Sequence, residues 1–207
     1  MEFSDIVRRR RMVRHFADEP VDRAILERIA ATAQHAPSAG FSQGQRLLVV
    51  TEATLRRRIG LLCGEDSYTD AGFDPWISQS AALFIPCVSE AIYHARYREA
   101  DKIDEDGTEI NWPVPYWWMD IGCTVMLVLL AAVNEGLAAG FAGSDAAGYV
   151  EMCSFLGIPA DFAPVGVIPV GRALPDKRSE SLKRGWVPNP QFARWNGWEV
   201  EASDGTN

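Results

Sequence analysis

Histidine, paired cysteines and basic residues are all scarce in this chain, and each scarcity excludes a class of function. Only His15, His35 and His94 are present, at no ligand spacing, and Cys63, Cys87, Cys123 and Cys153 form no Cys-x-x-Cys pair. A zinc site needs closer ligands, so no metal is expected. Cysteines with apolar or small neighbours are expected as buried free thiols. The 20 Lys+Arg against 28 Asp+Glu leave a net charge of -8. Nucleic-acid binding needs an extended basic surface, so no nucleic-acid partner is expected, although one local cluster can still hold a small phosphorylated ligand. The strongly apolar stretch 121–133 has Thr124 as its only strongly polar side chain. It falls short of the roughly twenty residues that span a bilayer, so no membrane partner is expected. No apolar segment of signal-peptide type follows the N-terminal basic residues, and a cytoplasmic location is expected. Ser38 lies in no Gly-x-Ser-x-Gly elbow, and no triad or carboxylate pair stands out.

What is present is an ordinary globular chain of 207 residues, 47% apolar and 23% charged, long enough for one domain with a sizeable core. Its basic charge is unevenly placed: Arg8, Arg9, Arg10, Arg11 and Arg14 crowd the N-terminus. Such a cluster is a solvated helix end, a nucleic-acid or localisation patch, or a phosphate site. Ser4 is expected to cap a helix through Ile6, Val7 and the arginines, and a continuing helix would gather Arg10, Arg11 and Arg14 on one side. Guanidinium forks make more directional phosphate contacts than lysines.

Further along, Asp22 is expected to cap a helix with an apolar face of Ile25, Ile29, Ala33 and Ala36, ending before Pro37. Leu47 to Val50 reads as a strand, Thr54 to Leu62 as a helix closed by Gly64, and Glu65 to Ser80 as loop. Ala82 to Val88 reads as a strand in which Pro86 marks an edge or a kink. The polar and aromatic stretch from Glu90 to Pro115 is either a solvated excursion or a lid over a ligand. Ile121 to Val133 is expected as a helix buried on all sides, partly in a subunit interface. Leu137 to Ala142, leading to Gly143-Ser144, is a small-residue strand, either tightly packed or approached by a planar ligand. Val165 to Val170 completes four or five strands. The tail carries Lys177, Arg178, Lys183 and Arg184 with Trp186, Trp195 and Trp198, which need apolar surface such as a partner subunit provides.

Arg10-Arg11-Met12-Val13-Arg14-His15-Phe16, followed by Ala36-Pro37-Ser38-Ala39-Gly40 and Gln43, resembles the FMN-dependent nitroreductase family. That family's motifs are Arg-Arg-Ser-Val-Arg-x-Phe and Ala-Pro-Ser-x-x-Asn-x-Gln-Pro-Trp. Further matches stand at Asn134-Glu135-Gly136-Leu137, Leu156-Gly157-Ile158-Pro159 and Pro169-Val170-Gly171-Arg172. The resemblance runs from about Phe3 to Arg184, with two departures: Met12 replaces a serine, and Gly44-Gln45 replaces Pro-Trp.

The resemblance implies an α+β fold, with a mixed central sheet surrounded by helices. It further implies an intertwined homodimer with a long buried interface helix and FMN between subunits. It implies a nitroreductase-like domain over 1–175, with 90–116 as a lid-like insertion, and a 176–207 extension packing on the partner subunit. By that resemblance Arg10, Arg11, Lys183 and Arg184 hold the phosphate, Met12 lies near the flavin, and Arg14 offsets charge at its pyrimidine end. Pro37, Ser38, Ala39 and Ser42 hold the ring and ribityl chain, and backbone near Ala142 and Gly143 donates to N5. Gly40, Phe41, Tyr93, Arg96, Tyr97 and Trp117 are the expected substrate contacts.

The implied activity is ping-pong reduction of a small conjugated acceptor (nitroaromatic, quinone or enone) by NAD(P)H, with the chemistry carried by the cofactor rather than a catalytic side chain. Dehalogenating relatives place a threonine hydroxyl at N5, where this chain has Gly143 with Ser144 next to it. Reductive dehalogenation, flavin remodelling of the benzimidazole-forming kind and non-catalytic flavin binding are the alternatives.

Overall fold

A computed structural model describes residues 1–175 and 180–198, in two compact units, Met1–Asp176 and Lys177–Asn207. In the first unit, helix α1 (Phe3–Arg9) begins after Glu2, so Ser4 lies inside the first turn instead of capping it. The helix also stops before the last arginines. Val13 and Phe16 are buried in the core, and an extended course delivers them there while the Val13 N–H donates to the Ala139 carbonyl at 3.1 Å. Burying two large apolar side chains is worth several times the cost of leaving a helix, at about 1.5–3 kcal/mol each.

Helix α2 (Arg23–Ala33) is capped as expected by Asp22, whose carboxylate accepts from the Ala24 amide at 2.9 Å. Its buried face is Leu26, Ile29 and Ala33, with Ile25 only half-buried. Strand β1 (Gln45–Val50) leads into α3 (Ala53–Leu62), where the Glu52 carboxylate caps Thr54 and Leu55. The stretch expected as loop contains a short helix, α4 (Glu65–Asp70). Its buried Glu65 carboxylate accepts from the amides of Ile77 at 2.5 Å and Ser78 at 3.0 Å, and so anchors the rest of that loop.

Strand β2 (Ala82–Val88) is buried along its whole length. It is followed by α5 (Glu90–Tyr97), a loop over 98–115, α6 (Tyr116–Asn134), β3 (Ala138–Ala139), α7 (Ala146–Leu156), β4 (Ala163–Pro164) and β5 (Ile168–Gly171). The sheet order is β1-β2-β5-β3, with β4 also on β2. The named ladders are antiparallel, and Met12 adds a parallel bridge to Ala139.

Pro86 therefore sits in an interior strand, not at an edge. Its tolerance has a local cause. β5 pairs with β2 at Ala82–Phe84 and β4 at Cys87–Val88. The missing N–H of Pro86 thus falls in the gap between two partners, on the side where its carbonyl accepts from Val165.

Helix α6 has 19 residues and starts five before the expected Ile121. It is long and apolar enough to cross a membrane by length and composition, yet its inner face (Ile121, Thr124, Val128, Leu129, Ala132) packs into the core beside α2 and the sheet. Burial on all sides was expected. In the subunit, Trp118, Met119, Cys123 and Met126 are exposed on the outer face.

In the second unit, described by itself, a 3-10 turn (Glu180–Arg184) precedes the short α8 (Asn189–Phe192). Trp186, Trp195 and Trp198 are exposed. Lys177 and Arg178 lie outside the described residues.

Candidate functional site

The extended course after α1 decides what each arginine can do. Arg11 and Val13 line one cavity, which Arg10, Met12 and Arg14 do not line. That cavity, of about 210 Å³, is also lined by Arg9, Val133 and Leu137. The Arg14 guanidinium stands 5.7 Å from the ring centroid of buried Trp76. The segment lies tight against the turn after β3. A Cβ on Gly140 would come within 2.6 Å of the Val13 carbonyl and 2.7 Å of the Trp76 ring.

Three residues on, that turn opens. The Ala142 amide donates to the Val167 carbonyl at 2.9 Å and is not available to a ligand. Gly143 is exposed, its amide engages no acceptor among the described residues, and a Cβ there would meet nothing closer than the Tyr149 hydroxyl at 3.7 Å. The Ser144 hydroxyl donates to the Leu62 carbonyl, and Asp145 caps α7 by accepting from the Gly148 amide at 2.7 Å. A donor on this turn is thus the backbone of Gly143, with the neighbouring hydroxyl committed elsewhere.

The Pro37–Ser42 loop forms a second constellation. Gly40, Phe41 and Gln43 have φ of 59°, 55° and 53°, and a left-handed backbone is costly for the two that carry side chains. The surroundings hold it in place. Ser38 Oγ accepts from the Gln43 amide at 2.9 Å, and Ser42 Oγ donates to the Ala39 carbonyl at 2.6 Å. Asp120, on the second turn of α6, accepts from the Ala39 amide at 2.8 Å and from the Tyr93 hydroxyl at 2.9 Å. Arg96 Nε donates to the Gly40 carbonyl at 3.0 Å. Asp120 carried no signal in the sequence, because its role depends on two segments far away along the chain.

The Gly44-Gln45 departure has a structural cause. A Cβ on Gly44 would lie 2.5 Å from the Tyr93 ring and 2.9 Å from the Ser89 carbonyl, leaving no room for a proline. Gln45 instead donates to the Pro37 carbonyl at 2.9 Å.

The insertion is an ordered aromatic cluster. Trp112 packs against Tyr97 at 4.4 Å and Trp117 at 5.7 Å between ring centroids. Tyr93 and Trp117, expected as substrate contacts, are buried within it. They support the loop and present no face to a ligand. Tyr97 is half-buried beneath Gly40, and Arg96 also pairs with Glu99 and with Asp101, whose carboxyl it draws down to about 2. Glu109 accepts from Trp112, pairs with His94 and accepts from Arg98. Burial raises the Tyr93 phenol, helped by its bond to Asp120, and burial pushes the Cys63 and Cys87 thiols up to about 12. All four cysteines are free, and Cys123 is exposed on α6, not buried as expected.

The two constellations do not meet within one subunit. Met12 lies beyond β3 at one edge of the sheet, and the loop enters β1 at the other. Three strand spacings of about 4.8 Å, plus a register offset of several residues along β1, separate the Gly143 turn from the loop by on the order of 20 Å. Beside the loop, Phe41, Ser42, Gln43, Ile92 and Thr124 line a groove of about 1010 Å³. Within it the buried Thr124 hydroxyl has no partner among the described residues. Lys183 and Arg184 end the 3-10 turn of the second unit.

A sequence profile described as Nitroreductase family matches residues 7–172. The chain belongs to the nitroreductase family. Solved structures agree at the level of fold. NfrA2 of B. megaterium superposes with a TM-score of 0.74 at 18% identity, over 98% of this chain and 78% of that one. The hypothetical oxidoreductase YcnD from Bacillus subtilis gives 0.74 at 20%, over 97% and 76%. A nitroreductase from Exiguobacterium sibiricum 255-15, solved in complex with FMN, gives 0.72 at 18%, over 94% and 97%. Among curated proteins, a 5,6-dimethylbenzimidazole synthase of Rhodobacter capsulatus is 36% identical over 56 residues, a match that spans 27% of this chain and 27% of the synthase. Helices around a sheet whose named ladders are antiparallel give this chain the expected α+β architecture.

Proposed function

We propose that this nitroreductase-family protein is an FMN-dependent oxidoreductase that uses NAD(P)H to reduce small conjugated acceptors such as nitroaromatics, quinones or enones. The observation that carries it is the open backbone of Gly143, whose amide engages no acceptor among the described residues, in a chain whose N-terminal segment carries Arg10 and Arg14. The residues present fit the cofactor. Arg10 and Arg14 supply positive charge on the extended segment, and Gly143 leaves room for a flat ring where most residues would project a side chain. Bound FMN would supply a two-electron carrier between NAD(P)H and the acceptor. Arg10 would grip the phosphate. Arg14 would offset negative charge at the pyrimidine end, and the Gly143 N–H would donate at N5. Arg11, which lines the cavity with Val13, would add only long-range charge.

The Pro37–Ser42 loop is too far from Gly143 to touch the same ring from the same subunit, so the site is complete only in a homodimer. The loop of one copy would cover the ring held by the other, and Met12 would border the ring. The exposed outer face of α6 and the tryptophans of the 176–207 extension would pack on the partner. In an isologous dimer every such contact occurs twice.

The short match to 5,6-dimethylbenzimidazole synthase favours flavin remodelling as the second reading. The commitment of the Ser144 hydroxyl to Leu62 speaks against a dehalogenating arrangement at N5. The snug fit of Gly44 against Tyr93 makes that departure a rebuilt loop, not a decayed one.

The test is a visible spectrum of the purified protein with mass identification of the released chromophore. About one FMN per chain and NAD(P)H oxidation support the proposal, and a colourless protein that takes up no FMN defeats it. Co-expression of Arg14→Ala with Asp120→Ala chains tests the shared site. In random dimers about a quarter of the sites regain both halves, whereas a site built within one subunit regains none.

A further inference from the structure

Phe41 combines two features that do not serve folding. Its backbone is left-handed, with φ of 55°, and its side chain is 74% exposed. Glycine or asparagine occupies such a conformation cheaply, while an aromatic residue is a steric outlier. An exposed phenyl ring recovers little of that cost by burial. The conformation is imposed from outside, through consecutive backbone groups: Asp120 accepts from the Ala39 amide, and Arg96 donates to the Gly40 carbonyl. Tyr97 packs under Gly40 so closely that a Cβ there would lie 2.7 Å from its ring. Asp120 and the insertion together therefore clamp the residues before Phe41, and the Ser38–Gln43 bond fixes those after it. The ring is presented at the groove that Gln43, Ile92 and Thr124 also line.

We infer that Phe41 is a specificity-determining residue, whose phenyl face stacks on the electron acceptor and selects flat conjugated rings. This rests on the flavin oxidoreductase reading and goes further, because it assigns the acceptor's shape to one side chain and makes Asp120 and Arg96 its positioning residues. Strain held by neighbours and released by nothing in the fold is the usual mark of a surface kept ready for a ligand. An offset or edge-on aromatic contact also needs no charge on the acceptor.

The experiment uses the holo-protein with Phe41→Ala, Phe41→Trp and Phe41→Gly. Steady-state KM is measured for 1,4-naphthoquinone, which is flat, and for ferricyanide, which is not. Phe41→Ala should raise the naphthoquinone KM about threefold to tenfold, the size of one aromatic stacking contact, and change the ferricyanide KM by less than about twofold. Phe41→Trp should restore the naphthoquinone value. Phe41→Gly should keep the Tm or raise it by up to about 4 °C, because relief of strain offsets lost chain entropy.

Equal changes for both acceptors overturn the inference. So does a shift of Phe41→Ala to monomer on sizing, which would make the ring an interface residue, or a large fall in the Tm of Phe41→Gly, which would make it a packing residue. A wild-type protein without FMN or NAD(P)H turnover defeats the parent reading before any variant is compared. Intact wild-type turnover with an unchanged KM ratio defeats only the role of Phe41.

Discussion

Replacing Gly140 and Gly143 separately by alanine distinguishes a glycine needed for close packing from one that opens onto a ligand. At Gly140 the new Cβ would lie 2.6 Å from the Val13 carbonyl and 2.7 Å from the Trp76 ring. The obstacle on one side is backbone and on the other a buried indole, neither able to swing aside. Overpacking of this kind costs about 1–3 kcal/mol, which for a domain of this size lowers the Tm by roughly 3–10 °C. The same methyl group at Gly143 has 3.7 Å to its nearest neighbour. It should leave the Tm within about 1–2 °C, or raise it slightly by stiffening the unfolded chain. FMN affinity should behave the other way round at Gly143. There the added methyl occupies the space proposed for the ring, and dissociation constants read from flavin fluorescence should rise about tenfold or more, given about 1–3 kcal/mol for a steric conflict. Scanning calorimetry of the apo-proteins and fluorescence titration of FMN give the two numbers independently. An unchanged Tm for Gly140→Ala would refute the close approach of the arginine segment to β3. A Gly143→Ala variant that binds FMN like wild type would refute the placement of the ring.

Asp120→Ala leaves the Ala39 amide and the buried Tyr93 hydroxyl without their acceptor and should cost about 2–4 kcal/mol by urea unfolding, whereas Asp120→Asn, which keeps an acceptor oxygen, should cost less than half of that. Glu65→Ala removes the acceptor of the Ile77 and Ser78 amides and should destabilise by about 2–4 kcal/mol, with the visible spectrum of bound flavin retained if the role is structural. The His94–Glu109 pair should make stability pH-dependent in two directions. The Glu109 hydrogen bond, then the one to Glu90, outweigh burial and raise His94 above its ordinary 6.5. Its contribution is full below that value and is lost as pH rises through the higher folded one. Burial pushes Glu109 up, but the bonds from Trp112 and His94 and the charges of His94 and Arg98 bring it below its ordinary 4.5. Its contribution is present above that value and is lost as pH falls through the lower one. The Tm of wild type should thus decline as pH rises above 6.5 more than that of His94→Gln, and parallel curves would remove His94 from the account.

Local chemistry was legible from the residues themselves. Asp22 capped α2, Gly64 closed α3, and Ala82–Val88 paired as a strand, because capping, left-handed glycine and alternating or continuous apolar runs act over a few neighbours. The order of the arginine, Ala-Pro-Ser and Pro-Val-Gly-Arg motifs likewise sufficed for the family, since each depends on residue type at short spacing. Tertiary structure decided the rest. Only tertiary packing buried Val13 and Phe16, ended α1 before Arg10 and set Arg11 in a cavity that Arg10 and Arg14 do not line. Only packing showed that Pro86 occupies a gap between two partner strands, that Tyr93 and Trp117 face inward, and that Asp120 and Arg96 meet at one loop. Those outcomes depend on residues brought together from distant parts of the chain, where burial and hydrogen-bond satisfaction outweigh any local preference.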